Sequence, residues 1–308
     1  MNRRDFLAQS SLSALALRSA GRSRAAPAAE PESIFAQVRA GRPLQGVDVI
    51  DSHAHFDEVS GALIHMLSVD MLEADSRRAG IGLTIVSPFE AYMATTADKL
   101  KAAHDACVEA VARHRNSLRA YLVFQPHLLK TSIAEMQRAL EPDSPFVGFK
   151  LHGAVDQYPA DGPHYQPLFE FANEHRMHVL YHVWGGIKGV GVVAEKYPRM
   201  TLTMAHMAFW TGASVPEIIT LLREHPNLSA DTCASTWPYR HLERYVEALG
   251  AERILFATDA TYLAIGPQVA KVAFATISED QKRGILGGNA RRIFGSRLPA
   301  RSGASSGS

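Results

Sequence analysis

His53-Ala54-His55 follows directly on the apolar run Val47-Asp48-Val49-Ile50-Asp51. Residues two apart on an extended strand share a face, so the two imidazoles stand side by side at the strand's C-terminal end. Such a pair can hold one divalent ion. Further groups of the same chemical kind recur at the ends of later strand-like runs. Lys150 and His152 close Gly148-Phe149-Lys150-Leu151-His152, and His182 closes the fifth run in Tyr181-His182-Val183. His206 closes the sixth in Ala205-His206-Met207, and Asp259 closes the eighth in Ala257-Thr258-Asp259. Imidazole nitrogens and carboxylate oxygens are the usual ligands of Zn2+ and similar ions.

From Val47 the chain alternates β-rich apolar runs with amphipathic helical stretches. Strands are expected at 47–52, 83–87, 119–125, 146–151, 179–183, 202–206, 228–231 and 254–258. Helices are expected at 97–114, 166–175, 216–225, 241–249 and 279–294. Thr95-Thr96, Ser214-Val215-Pro216 and Ser278 followed by acidic residues supply helix-start signals. Strands alternating with helices imply a parallel sheet. Eight such units over residues 47–296 match the length of an α/β (β/α)8 barrel, whose active site lies at the C-terminal ends of the strands. An open nucleotide-binding sheet would need a glycine-rich turn after the first strand, and Ser52-His53-Ala54-His55 is not one.

Composition sets the outer bounds. The chain has 308 residues, is 46% hydrophobic and 20% charged, and carries a formal charge of +1. No basic surface calls for nucleic acid, and no apolar run reaches the length of a membrane span. Cys107 and Cys233 define no disulfide framework and lack metal-site spacing, and Cys107 reads as packed. The start of the chain is different. Arg3-Arg4-Asp5-Phe6-Leu7, a short Ser-rich apolar stretch to Leu17, and Ala26-Pro27-Ala28 make residues 1–28 a twin-arginine export signal. Residues 29–46 then form an N-terminal extension, 47–296 the catalytic barrel, and 297–308 a disordered tail. The export machinery is thus an expected partner and the periplasm the expected location.

The order His-X-His, Lys, His, His, Asp across strands one, four, five, six and eight resembles the amidohydrolase superfamily. Gly148-Phe149-Lys150-Leu151-His152, Tyr165-Gln166-Pro167-Leu168-Phe169-Glu170, Leu255-Phe256-Ala257-Thr258-Asp259 and Gly288-Asn289-Ala290-Arg291-Arg292-Ile293-Phe294 resemble its amidohydrolase-related branch. That branch holds TIM-barrel metal-dependent hydrolases and lyases similar to aminocarboxymuconate-semialdehyde decarboxylase. The resemblance implies His53, His55, His182 and Asp259 as ligands of one divalent metal, expected to be Zn2+. It makes His206 a catalytic group or a ligand of a second metal. A metal-bound water of lowered pKa would serve at neutral pH. Asp259 would move its proton, and His206 would polarise a substrate carbonyl. Lys150 has two readings. As a free amine it faces the substrate, and as a carbamate it bridges a second metal shared with His182 and His206.

Other residues receive plainer readings. His65, His104, His114, His175, His225 and His241 fall in helical patterns and read as surface or helix-end residues. His127 reads as a loop stabiliser and Asp51 as a structural hydrogen-bond partner. His152 shares the face of Lys150 and either lines the pocket or packs. Trp184, Trp210 and Trp237 lie just beyond three strand ends, with Phe56 and Tyr262 flanking two more. They form either an aromatic rim for a small-molecule substrate or ordinary loop packing. Arg240 is a candidate anion grip. A homodimer is compatible with the resemblance.

The leading expectation is a metal-dependent hydrolase of a small ester, lactone or amide. The alternative is a metal-dependent non-oxidative decarboxylase of an unsaturated or aromatic acid. A metal-binding protein without catalysis would lack a ligand, and none is missing. N-terminal sequencing of exported protein should give a mature chain starting near residue 29; exported protein that still begins at Met1 contradicts the signal.

Overall fold

The computed structural model describes residues 32–56, 68–234 and 237–300. The segment expected to be an export signal, His65 and the last eight residues of the tail lie outside them. Eight parallel strands follow one another in sequence order: β1 (Ile50–Phe56), β2 (Leu83–Pro88), β3 (Leu118–Val123), β4 (Phe146–His152), β5 (His178–His182), β6 (Thr201–Met204), β7 (Leu228–Asp231) and β8 (Ile254–Leu255). The chain beyond β8 runs back along β1. Ser52 N–H donates to the Phe256 carbonyl at 3.0 Å, and Asp259 N–H donates to the His53 carbonyl at 2.8 Å. These bonds bring the last strand to the first, and the fold is a (β/α)8 barrel.

Two apolar layers hold it. Ile50, Leu83, Ile85, Tyr121, Val147, Leu180 and Leu255 form an inner cluster with Phe294 and Leu298. Ala54, Phe56, Phe149, Val179, Leu202 and Leu228 belong instead to the larger layer between strands and helices. Strict alternation from Ile50 would turn His53 outward, and from Val147 it would turn Lys150 outward. The pairing register shifts between Asp51 and Ala54 in β1, and Ala120 pairs with Phe146 while the next residue, Tyr121, pairs with Gly148 in β4. Each irregularity adds one residue and reverses the facing of the residues beyond it. The same strands therefore supply apolar residues to the lower interior and His53, His55, Lys150 and His152 to the upper interior.

The helices start where their caps direct. Thr96 accepts from Lys99 N–H at the head of Ala97–Arg113, and Ser214 and Ser278 form reciprocal capping boxes with Glu217 and Gln281. The final helix, Glu279–Phe294, is interrupted by a wide π turn at Gly284–Gly288. Within this turn the Ile285 carbonyl accepts Phe256 N–H at 2.9 Å, which fastens the helix to the end of β8. Among the described residues no helix is long and apolar enough to cross a membrane.

Several expectations change. β1 continues through both histidines, because it pairs with β2 as far as Phe56 and the Asp259–Ala260 segment bonds it on the other side. β8 is only two residues long, since the chain leaves the ladder to bond β1 and the final helix. The segment before the barrel carries the helix Ile34–Arg39, with Ile34 buried and Phe35 edge-on to Phe274 at 5.1 Å. The tail begins ordered, with Leu298 buried in the inner cluster. His104 and His241 are buried rather than at the surface. His104 ties its helix inward through Glu135 (2.9 Å) and the Val123 carbonyl (3.1 Å). His241 sits among Trp237, Phe209 and Tyr245.

The β4 irregularity depends on a missing side chain. A Cβ on Gly148 would lie 2.5 Å from the His178 carbonyl oxygen. Gly148→Ala should destabilise the barrel by roughly 1–3 kcal/mol, seen as a Tm lower by several degrees. An unchanged Tm contradicts the packing argument.

Candidate metal-dependent active site

Asp51 sets the geometry from below. Its Oδ1 accepts the N–H groups of His53 (3.2 Å) and Thr258 (3.0 Å), and its Oδ2 accepts the Thr258 hydroxyl. Burial raises its pKa to about 7, offset in part by these donors. The carboxylate thus pins the ends of β1 and β8 together, the structural role expected of it. Above it, His53 Nε2 lies 3.1 Å from His55 Nε2, and Asp259 Oδ1 lies 3.0 Å from His55 Nε2 and 3.6 Å from His53 Nε2. Ligands about 2.1 Å from one ion stand roughly 3–3.5 Å apart. Three lone-pair-bearing atoms at this spacing fit a divalent cation.

The other faces of the rings are occupied. His53 Nδ1 lies 2.9 Å from Asp231 Oδ2, so it carries the proton and leaves Nε2 free. His55 Nδ1 meets the hydroxyls of Ser87 (3.2 Å) and Tyr92 (3.4 Å). Burial, reinforced by Lys150 and neighbouring histidines, holds His53 far below the ordinary histidine pKa. Burial also lowers His55 and, more strongly, His182. The imidazoles are therefore neutral, as metal binding requires. Burial pushes Asp259 up, but its contact with His55 and the nearby Lys150 ammonium outweigh this and hold the carboxyl below the usual carboxylate range.

His182 and His206 complete the ring of residues. His206 Nδ1 is 2.8 Å from the Cys233 carbonyl oxygen and donates to it, leaving Nε2 as its free nitrogen. Its backbone begins three successive left-handed residues, with φ of 58°, 49° and 54° at His206, Met207 and Ala208. The His182 ring lies 4.7 Å from that of His206 and stacks on His152 at 4.4 Å. A tight quartet of donor atoms, all within 4.8 Å of one another, comes from His53, His206, Cys233 and Asp259. Of the expected ligands, His55 and His182 are not part of that quartet, whereas Cys233, which its spacing in the sequence does not mark as a ligand, is.

Above the donors opens a cavity of about 500 Å³. His55, His182, His206 and Asp259 form its floor, and Phe89, His152, Val155, Trp210, Tyr262 and Leu263 rise around it. No arginine or lysine is among the described residues that line it, and segments 57–67 and 235–236 contain neither type. Of the expected rim, Trp210 and Tyr262 line the cavity. Trp184 is 43% exposed and not among its walls. Trp237 and Arg240 line a separate groove with Lys271 and Phe274. Lys150, expected to face substrate as a free amine, is fully buried beneath His53, with Nζ 2.7 Å from His53 Nε2.

Sequence reasoning alone misses Asp231, Cys233, Ser87 and Tyr92. Asp231 carries a usable signal, since it ends β7 as the other site residues end theirs. Ser87 also ends a strand, but its hydroxyl acts only on the far side of His55.

The amidohydrolase family profile matches residues 50–296, and the chain belongs to that family. No curated protein matches it significantly. Among solved structures, 5-carboxyvanillate decarboxylase from Sphingomonas paucimobilis superposes with a TM-score of 0.62 at 17% identity, covering 82% of this chain and 100% of its own. The 2,6-dihydroxybenzoate decarboxylase from Rhizobium gives 0.62 at 17%, covering 80% and 98%. A dihydroxybenzoic acid decarboxylase from Polaromonas sp. JS666, with bound manganese and 2-nitroresorcinol, gives 0.65 at 18%, covering 80% and 97%. These likenesses concern the fold.

Lys150 generates a stability prediction. Burial lowers its pKa from 10.5 to about 8, partly offset by Asp259 and Asp231. The unfolded chain holds the proton more tightly, so the penalty is full below pH 8 and vanishes as pH rises toward 10.5. A shift of this size costs up to about 3 kcal/mol. Lys150→Met should raise the Tm of metal-free protein at pH 7 by several degrees, with the gain shrinking toward pH 10. A lower Tm at pH 7 contradicts this.

Proposed function

We propose that this chain is a metal-dependent decarboxylase of an aromatic carboxylic acid. The observation that carries the reading is a cavity walled by Phe89, Trp210 and Tyr262 that ends on imidazole and carboxylate donors. Aromatic walls select a flat apolar ring. With no guanidinium or ammonium in the described walls, the acid group must be met at the floor. The decarboxylases of similar fold act on hydroxylated benzoates by their names, which supports the same class here.

His53, His55, His182 and Asp259 would hold one divalent ion, which supplies a Lewis acid that binds the substrate's oxygen atoms. This donor set suits zinc and manganese alike, and manganese is bound in one structure of similar fold. The protein's own contribution is positioning and proton delivery. Phe89, Trp210 and Tyr262 hold the ring over the floor. His206, its Nδ1–H held by the Cys233 carbonyl, takes up a solvent proton on its free Nε2 and passes it to the ring carbon bearing the carboxylate. The carbon–carbon bond then breaks and its electron pair returns to the ring, so a carboxylate and a proton become an arene and carbon dioxide. His206 recovers its proton from water. Lys150 would remain a free amine when one ion is bound. Export by the twin-arginine route, which moves folded proteins, would let the ion be loaded before transit.

Hydrolysis of an ester, lactone or amide is the second reading, favoured by the family to which the chain belongs. Incubation of Mn2+- or Zn2+-loaded protein with a panel of hydroxybenzoates in deuterium oxide separates the two. The proposal predicts carbon dioxide release and one deuterium at the vacated ring position. Turnover of esters or lactones without carbon dioxide release contradicts it. His206→Asn should lower kcat at least 100-fold while retaining the ion. His55→Ala should lose both ion and turnover, and wild-type turnover in either variant contradicts the assignment.

A further inference from the structure

We propose that Asp231 is a positioning residue that fixes the ring of His53 and the backbone of His206 at once, a task only a carboxylate performs. The side chain is fully buried at the end of β7. Oδ2 lies 2.9 Å from His53 Nδ1, and Oδ1 accepts His206 N–H at 2.7 Å and the Cys233 thiol at 3.2 Å. All three partners donate, and none accepts. The first bond fixes the proton of His53 on Nδ1 and turns the Nε2 lone pair toward His55 and Asp259. In the opposite tautomer a lone pair would face the carboxylate, and an N–H would occupy the position needed for a ligand.

The second bond acts on a strained backbone. His206, Met207 and Ala208 are all left-handed and none is glycine. Such residues cost roughly 1–2 kcal/mol each. His206 N–H on Asp231, His206 Nδ1 on the Cys233 carbonyl, and the Met207 carbonyl on the Tyr245 hydroxyl (3.3 Å) hold the run in place. This run aims His206 into the cavity. One β7 carboxylate thereby keys His206, in the turn after β6, to His53 on β1.

Asparagine cannot substitute. A carboxamide offers one acceptor and one N–H2, so satisfying His53 sets an N–H against two donors, and satisfying His206 sets one against His53 Nδ1. The inference concerns geometry present without metal, and rests on the metal reading only for its effect on affinity. The test is histidine and amide NMR of the metal-free full chain, with Mn2+ titration of the same samples. Wild type should show His53 protonated at Nδ1, with this proton and the His206 amide proton both shifted downfield by the carboxylate. Asp231→Asn should move at least one of them upfield and weaken Mn2+ binding on the order of 10–100-fold. Glu135→Gln, which removes a buried carboxylate bonded to His104 and Arg138 outside the site, should leave both protons in place. Wild-type His53 protonated at Nε2 overturns the proposal, and that spectrum needs no variant to fold. It is also overturned if Asp231→Asn leaves both protons in place with Mn2+ affinity within twofold, or if Glu135→Gln shifts them equally. Wild-type protein that binds no Mn2+ overturns the metal reading alone, and the proton positions still decide this one.

Discussion

Three electron-rich atoms, His53 Nε2, His55 Nε2 and Asp259 Oδ1, converge to within 3.0–3.6 Å of one another in a buried site. Lone pairs so placed repel unless a cation lies among them. Much of the molecule serves to create and hold that arrangement. Asp51 locks the strands that carry it, Asp231 and the Ser87–Tyr92 hydroxyls occupy the far ring nitrogens, and burial keeps the imidazoles neutral. The buried Lys150 ammonium supplies positive charge at the same point, 2.7 Å from His53.

The barrel resolves a conflict built into its strands. Alternation allows a strand only one inward face, yet the lower interior must be apolar and the upper interior polar. β1 and β4 meet both demands by shifting register, and Gly148 is required where the shift brings a carbonyl too close for a Cβ. The left-handed run at His206 is the third departure from regular geometry, and it too lies beside the donors. Irregular backbone thus concentrates where side chains must be re-aimed.

Much of this is legible in the sequence. The alternation of strands and helices, the capping residues at Thr96, Ser214 and Ser278, and the strand-end positions of His53, His55, Lys150, His182, His206 and Asp259 come from period and local chemistry alone. The register shifts are not legible, because a bulge depends on what the neighbouring strand presents. Lys150 reads as available to substrate because sequence places it at the right strand end but does not say how far beneath His53 it lies. Adjacency to β7 places Trp237 and Arg240 at the mouth, whereas both line a separate groove, which follows from packing against Lys271 and Phe274 and not from strand order. The roles of Asp231 and Cys233 arise from partners on β1 and β6.

The central claim is that the upper end of the barrel is built around one divalent cation. Anomalous diffraction from crystals grown with Mn2+ tests it most directly. The account predicts a single strong peak within bonding distance of His53 Nε2, His55 Nε2, His182 and Asp259, with Lys150 outside its coordination sphere. Absence of anomalous density among these residues at saturating Mn2+ would contradict it.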